Sequence, residues 1–599
     1  MASKLNFDPR DKESCMKLLE TLTSNAPFIQ QQVLGEILAK NANTEYLKGF
    51  LLDGSEDDDN IEHFKNRVPL VAYEDMKPYF DRIVSGEASS AIISAEPITE
   101  LFISSGTSCG KHKLLPSTAE EAGRRGMYQF ISAALLNMHI EGLNKGRIML
   151  FTFTRPDIET PNGLIITYAT CSFLKNLKPT KELNPFDGFS SPIEVILCTE
   201  TKQSIFCQLL CSLVRRFEVV RVGSSVASLF VWGIKFLEEN WQEICANIRT
   251  GQISEWITEP NCRKAVSSIL NKEMPDLADK VDEIFREQSW EGIVKKLWPN
   301  TKIVDAISTG TMAQYVPLVN FYSGGLPLVS MHYVCSEGFF GLNLEPLTML
   351  NEDVSYTLLP NMAYFEFLPV DQKEEENDDL KGEDVKNNEL VVDLANVKVG
   401  QKYELIVTTF TGLYRYRVGD ILLPTGFYNK APKFKFIRRQ NVVLSIDIEK
   451  TTEEDLFKAI TNAMKILEAN GFFLSDYTSY VNASKVPYHY VLFWELQMRR
   501  NGEEQELDGV QMEKCCAVVE QSLDATYRML RNRRNAIGPL EIKVVNPGTF
   551  QKLMDFFVSE GSSVNQYKTP KCIKVDKAIE LLNSSVMGTY SSKCIPTYN

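Results

Sequence analysis

At 599 residues, 44% of them apolar, the chain can bury large cores and is too long for one ordinary domain, so a major body with a smaller companion is expected. A net charge of −14 argues against general nucleic-acid binding, and no apolar run reaches the ~18 residues that a membrane span needs. The first residues carry both signs of charge and no apolar core, so no secretory leader is expected, and thirteen cysteines read as mostly buried thiols of a cytosolic protein.

Residues 14–50 read as helices, from apolar positions three or four apart. Strand-like apolar runs follow at 148–153, 326–334, 364–370 and 405–410, with an amphipathic helix over 205–214. Helices alternating with buried strands indicate an α/β body. The stretch 371–388 is almost wholly polar and reads as a solvated loop. A second α/β rhythm begins past residue 440. A capping box at Thr452 to Asp455 opens a helix through Leu467, then come a strand at 489–496, a long helix near 513–534 and a strand at 540–545. The boundary is placed near 438–441, giving domains of 1–440 and 441–599. The five histidines form no metal-ligand pattern with cysteine, so no zinc site is expected.

Three segments carry chemistry. The first, from Ser104 to Lys113, follows an apolar run with Ser, Ser, Gly, Thr, Ser, Cys, Gly, Lys, His, Lys. Glycine admits an anion close to the backbone, hydroxyls donate to it and lysine neutralises it; the plain alternative is a Gly/Ser turn with exposed lysines. Gly106 to Gly110 also fits the serine-hydrolase elbow, but Lys111 to Pro116 makes a poor helix start. A phosphate-binding Walker loop fails as well, being one residue short and carrying His112 where Ser or Thr should stand. The second segment is Tyr333, Val334, Cys335, Ser336, Glu337, whose carboxylate suits Mg²⁺. The third runs from Tyr414 through Arg415 and Arg417 to Asp420, with an Asp able to accept from ribose hydroxyls and an Arg able to meet phosphate. Taken singly, the last two read equally well as strand-end turns.

In this order the three resemble the motifs of adenylate-forming enzymes, and in wording those of the Gretchen-Hagen-3 family of plant acyl acid amido synthetases. The first matches that family's Ser-Ser-Gly-Thr-Ser-x-Gly-x-x-Lys at every fixed position, and the third matches from Tyr414 to Asp420. In the second, Val334 and Cys335 replace the family's usual small residues. The similarity runs nearly end to end, to Gln566, Tyr567, Lys568, Thr569, Pro570, with Lys571 where the family usually has arginine. Some wording resembles the branch of benzoate-type synthetases.

The resemblance implies a large N-terminal adenylation domain of β-barrel and β-sheet subdomains flanked by helices, plus a smaller mobile α/β C-terminal domain, luciferase-like in plan. It implies ATP and Mg²⁺ as cofactors, with a small carboxylic acid and a free amino acid as partners; a monomer is expected, with neither nucleic acid nor membrane. Catalysis falls to Lys113, Glu337 (also the metal ligand) and Lys568. Nucleotide contacts fall to Ser104, Ser105, Gly106, Thr107, Tyr333, Ser336, Arg417, Asp420 and Arg438, the last contacting ribose or else steadying the hinge near the boundary, with Tyr364 or Phe365 stacking on adenine or else packing in the core. The acyl site falls to Tyr128, Ser132, Thr167, Thr170, Thr309 and Met331. Ser132 stands where relatives acting on small aromatic acids carry arginine, which implies a roomier, more apolar tunnel suited to an indole-alkanoate. The competing functions are an acyl-CoA ligase, which differs in acceptor, and a carboxylate-sequestering protein that releases no pyrophosphate.

Overall fold

A computed structural model describes residues 8, 11–51, 60–104, 113–176, 188–287, 289–348, 350–370, 390–439, 442–446, 449–484, 486–498, 507–534 and 536–597. The polar stretch 371–388 and the centre of the first motif, with Ser105, Gly106 and Thr107, lie outside them.

The N-terminal helices Lys12–Ser24 and Ala26–Asn41 form as expected, the first capped by Asp11, which accepts from the amides of Glu13 and Ser14. The second is pinned by Gln30, whose amide nitrogen donates to the carbonyls of Pro360 and Ala363 at 2.7 Å and whose oxygen accepts from Phe365 N at 2.7 Å. A buried glutamine that satisfies three backbone groups fixes this helix against the sheet behind it.

Two four-stranded sheets follow. One, in the order β2-β1-β5-β4, comprises β1 (Ile98–Ile103), β2 (Leu114–Thr118), β4 (Ile158–Glu159) and β5 (Ile165–Thr167). The other is parallel, in the order β3-β6-β7-β8: β3 (Arg147–Phe151), β6 (Val219–Val226), β7 (Ile303–Ile307) and β8 (Leu328–Val329). Helices Thr201–Val214 and Ala227–Thr250 pack on it in one large apolar cluster. Gly233 lets the second helix approach, since a Cβ there would lie 2.5 Å from the Phe151 ring.

The largest sheet has eight antiparallel strands in the order β13-β12-β14-β15-β16-β11-β10-β9. They are β9 (His332–Cys335), β10 (Gly338–Leu342), β11 (Tyr356–Leu358), β12 (Tyr364–Pro369), β13 (Val392–Asp393), β14 (Tyr403–Thr408), β15 (Tyr416–Tyr428) and β16 (Ala431–Arg439). The apolar run 326–334 is therefore not one strand. It leaves the parallel sheet after Val329 and enters the antiparallel one at His332, because Ser330 and Met331 cross between the two.

Beyond the short pair β17 (Val442–Leu444) and β18 (Thr451–Thr452), Thr452 and Asp455 close the expected capping box on helix Glu453–Glu468. The C-terminal sheet runs β19 (Phe472–Asn482), β20 (His489–Met498), β21 (Glu541–Val545), β22 (Val586–Ser591). β20 is buried on both faces: Tyr490, Leu492 and Trp494 enter one apolar cluster, Val491 and Phe493 the other. The long helix expected near 513–534 is broken. Helix Gly509–Ser522 stops, and Asp524 recaps a new turn by accepting from Tyr527 N at 2.6 Å.

Candidate active site

The β9–β10 hairpin pairs Cys335 with Gly338, leaving Ser336 and Glu337 as its turn. Tyr333, inside β9, donates its phenol to Asp420 Oδ2 at 2.8 Å. Asp420 reaches this point because β15 passes through Gly419 in the left-handed region (φ +80), which offsets the register between β14 and β15. Across the sheet Asp420 pairs with Arg439, whose Nε donates to Asp420 Oδ1 at 2.8 Å. Each oxygen of this buried carboxylate keeps a lone pair, so the two acceptors a ribose diol needs remain.

Charge concentrates here. The Asp420 carboxylate raises the Arg439 guanidinium above its ordinary range against the cost of desolvation, with Glu337 and the Cys335 thiol adding to it. Burial raises the Cys335 thiol, and the Glu337 charge raises it further. Lys568 of the C-terminal segment joins this group. Its side chain keeps access to solvent, yet crowding in the cleft lowers its pKa; Arg439 lowers it further, while Asp420, Glu453 and Cys335 pull it back up.

Two buried polar atoms in this group lack a partner among the described residues: Glu337 Oε2 and the Tyr416 hydroxyl. Burial raises the Tyr416 phenol, and the charge of Glu337 is its next cause, so the two lie close. An unpaired buried carboxylate oxygen at a hairpin tip costs stability unless something occupies it, and it fits a hard divalent cation that also binds phosphate oxygens.

The base of the first motif borders this group. Ser104 N donates to Lys113 O at 2.9 Å and Lys113 N to Ser104 Oγ at 3.2 Å, closing the loop where β1 and β2 meet. Lys113 Nζ lies 5.2 Å over the Tyr73 ring, and Tyr73 in turn contributes to the environment of Tyr416.

A second group lies on the far side of β9. Tyr128, from helix Ala119–His139, donates to Gly341 O at 2.6 Å, so its oxygen accepts from His332 Nδ1 at 3.2 Å. That assignment leaves His332 Nε2 as acceptor for the Ser132 hydroxyl at 3.5 Å. Burial lowers the His332 pKa to about 4, with Arg221 lowering it further and Asp305 opposing, so the group is neutral at physiological pH. Arg125 spans the Phe102 and Phe339 rings at 4.5 and 5.8 Å and is ion-paired to Glu121. Thr309 Oγ1 meets the Tyr356 hydroxyl at 3.1 Å, Met331 is fully buried in the core, and Thr167 sits opposite Phe102 in the small sheet with Thr170 just beyond it.

Several expected nucleotide contacts fall elsewhere. Tyr364 and Phe365 are core residues: the first donates its hydroxyl to Asp393 at 2.7 Å, and the second is 0% exposed, edge-on to Phe340. β12 is covered on both faces, so neither ring has a face for adenine. Arg417 pairs with Glu404 on the neighbouring strand at 2.6 Å. Arg438 points away from Asp420 and pairs with Glu454 of the C-terminal domain's first helix at 3.5 Å. Arg439, next along the strand, takes the place expected of it, because strand side chains alternate. Arg439, Tyr416 and Glu453 were missed; the pairing of Asp420 with Arg439 is the signal, and bulges on β15 obscure it in sequence.

Comparison with known proteins agrees with this layout. Models of the GH3 family match along the chain: its N-terminal domain at residues 15–328, its central domain at 356–439 and its C-terminal domain at 454–577. The indole-3-acetic acid-amido synthetase GH3.17 of Arabidopsis thaliana is 52% identical over 606 residues, covering 99% of this chain and 98% of the relative. The 4-substituted benzoates-glutamate ligase GH3.12 of Arabidopsis thaliana is 48% identical, covering 97% and 98%. The solved structure of the GH3.15 acyl acid amido synthetase in complex with 2,4-DB superposes with a TM-score of 0.90 at 47% identity, over 99% of this chain and 100% of that one.

Proposed function

The chain belongs to the GH3 family, and from that premise we infer that it is an ATP-dependent acyl acid amido synthetase. It activates a small carboxylic acid and joins it to an amino acid, the reaction by which auxin levels are held in balance. The acid's carboxylate attacks the α-phosphorus of ATP and pyrophosphate leaves; an amino-acid amine then attacks the acyl-adenylate carbonyl and AMP leaves. Both steps depend on placing groups and stabilising charge.

The observation that carries this reading is the convergence of Glu337, Asp420, Arg439 and Lys568 from separate segments beside the first motif. Asp420 accepts from the ribose hydroxyls, and Lys568 neutralises the phosphates as pyrophosphate departs. Arg439 holds Asp420 and adds positive charge, and Ser104 and Lys113 shape the phosphate loop. Glu337 would hold Mg²⁺, which would supply neutralisation of phosphate charge. The neutral Tyr128–His332–Ser132 group favours an aryl-alkanoate acid of the auxin type over a bare benzoate, since no arginine stands at Ser132 to pair a short acid. The proposed domain boundary near residue 440 is supported by separate apolar clusters on its two sides. A monomer in the cytosol is proposed with it, the compartment alone being supported by the free, mostly buried thiols among the described residues.

The test is pyrophosphate release with ATP and Mg²⁺ across benzoates and indole-alkanoates, with and without mixed amino acids. Acid-dependent release with amide appearing only when amino acids are present is expected. Release that continues with coenzyme A in place of amino acids, yielding a thioester, would redirect the reading to an acyl-CoA ligase.

A further inference from the structure

Lys568 reaches the charged group from a segment anchored to the N-terminal body chiefly through its own backbone carbonyls, two of which accept from the Arg155 guanidinium. Arg155 Nη2 donates to the carbonyl of Val558 at 3.0 Å and Nη1 to that of Ser562, and the Tyr168 hydroxyl donates to that of Gly561. Ser228 Oγ donates to Tyr567 O at 3.4 Å. Met554 and Val564 enter the apolar cluster of the parallel sheet itself. At the centre is Asn565, 1% exposed. Its Oδ1 accepts from Phe153 N at 2.9 Å, its Nδ2 donates to Phe153 O, and its own carbonyl accepts from Ser225 Oγ at 2.6 Å.

We propose that Asn565 is the positioning residue that sets Lys568 for the adenylation step, by pairing its side-chain amide with both backbone groups of Phe153 beyond the end of β3. The chemistry of an amide suits the task. Phe153 has left the ladder of the parallel sheet, so its N–H and C=O are both free of strand partners, and a carboxamide offers one acceptor and one donor at the spacing of a peptide group. Ser225, at the end of the neighbouring β6, adds the third bond, so the tips of two adjacent strands hold one residue. Lys568 follows three residues later, after the short turn Val564–Gln566, which leaves little slack between anchor and ammonium. The far side of Lys568 is held too. Thr569 Oγ1 donates to Asp476 Oδ2 at 2.5 Å, and Lys571 Nζ donates to Asp476 at 3.3 Å and to Gln314 of the N-terminal body at 3.1 Å. The lysine therefore sits between two buried anchors, of which only the Asn565 side bonds the N-terminal strands directly.

This rests on the reading that Lys568 neutralises phosphate during adenylation, and the experiment separates the two. Full-length Asn565→Ala, Asn565→Asp, Ser225→Ala, Lys568→Met and the double variant Asn565→Ala/Lys568→Met are compared in both half-reactions. The first is acid-dependent pyrophosphate release; the second is amide formation from a synthetic acyl-adenylate, which has no pyrophosphate to stabilise. Asn565→Ala is expected to lower the adenylation kcat roughly 10- to 100-fold with a smaller change in the KM for ATP. Ser225→Ala, which keeps the amide pair with Phe153, should lose less and confirm the direction should Asn565→Ala fold poorly, whereas Asn565→Asp, which sets a buried carboxylate against Phe153 O, should lose at least as much as Asn565→Ala. The double variant should be no slower than Lys568→Met alone, and amide formation from the adenylate should stay within about twofold of wild type. Additive losses in the double variant, or equal losses in both half-reactions, would overturn the proposal. So would full adenylation in the Asn565 and Ser225 variants while Lys568→Met is impaired. Normal adenylation by Lys568→Met would remove the underlying reading and the proposal with it.

Discussion

Two carboxylate–guanidinium pairs lie at either end of the third motif, and they are built for different purposes. At Arg415 the chain takes φ +46, unusual for any residue but glycine, and the side chain is 1% exposed. Nε and Nη2 of Arg415 donate to Glu366 at 3.1 and 3.0 Å, and Nη1 donates to the carbonyls of Lys65 and Val68 at 2.5 and 2.9 Å. That pair is closed: a carboxylate and neighbouring carbonyls surround the guanidinium. At Asp420 and Arg439 the pair is open, with a Glu337 oxygen and the Tyr416 hydroxyl unpartnered among the described residues beside it and a lysine reaching in from another segment. Burial and charge are present at both; what separates structure from chemistry is whether the polar atoms are already satisfied.

The comparison breaks most visibly at the closed pair. Glu366→Ala should cost about 3–5 kcal/mol by leaving Arg415 buried and uncompensated, read as a large fall in the denaturation midpoint. Glu337→Ala should do the reverse. Stability should hold or rise slightly, because an unpaired buried oxygen is removed, while acid-dependent pyrophosphate release falls about 100- to 1000-fold. Arg439→Ala should lower adenylation roughly 10- to 100-fold, whereas Arg438→Ala should show chiefly in thermal stability, by about 1 kcal/mol or less.

A pH dependence at the acyl group is read as a slope in stability rather than as a loss of activity. The folded pKa of His332, about 4, lies below the ordinary 6.5, so between those values the unfolded chain binds the additional proton. Stability contributed by neutral His332 is therefore complete above pH 6.5 and is lost as pH falls towards 4, at no more than about 1.4 kcal/mol per pH unit. Urea midpoints of wild type and His332→Asn across that range should differ in slope, the variant being flatter. Equal slopes would place the acid sensitivity elsewhere.

The elements most legible in sequence were those with a local signature. The capping box at Thr452 and Asp455 and the motif residues Glu337 and Asp420 are read from neighbours a few positions apart. What failed depended on distant partners. The run 326–334 is continuously apolar, so nothing local marks Ser330 and Met331 as a crossing between sheets. Tyr364 and Phe365 carry the right rings, but only the covering of both faces of β12, with Gln30 binding the Phe365 amide, makes them core. Arg438 and Arg439 differ by one position, and the choice between them is made by strand register through two bulges. The helix expected at 513–534 breaks where Asp524 competes for backbone amides, a choice the apolar spacing does not record.

The most direct test of the central claim follows an atom. The full-length enzyme is given ATP, Mg²⁺, an amino acid and an indole-alkanoate whose carboxylate carries oxygen-18, and the products are weighed by mass spectrometry. If the acid attacks the α-phosphorus at the Glu337–Asp420–Lys568 group, one labelled oxygen must leave with AMP and the other stay in the amide. Unlabelled AMP, or label appearing in inorganic phosphate beside ADP, would contradict adenylation at this site.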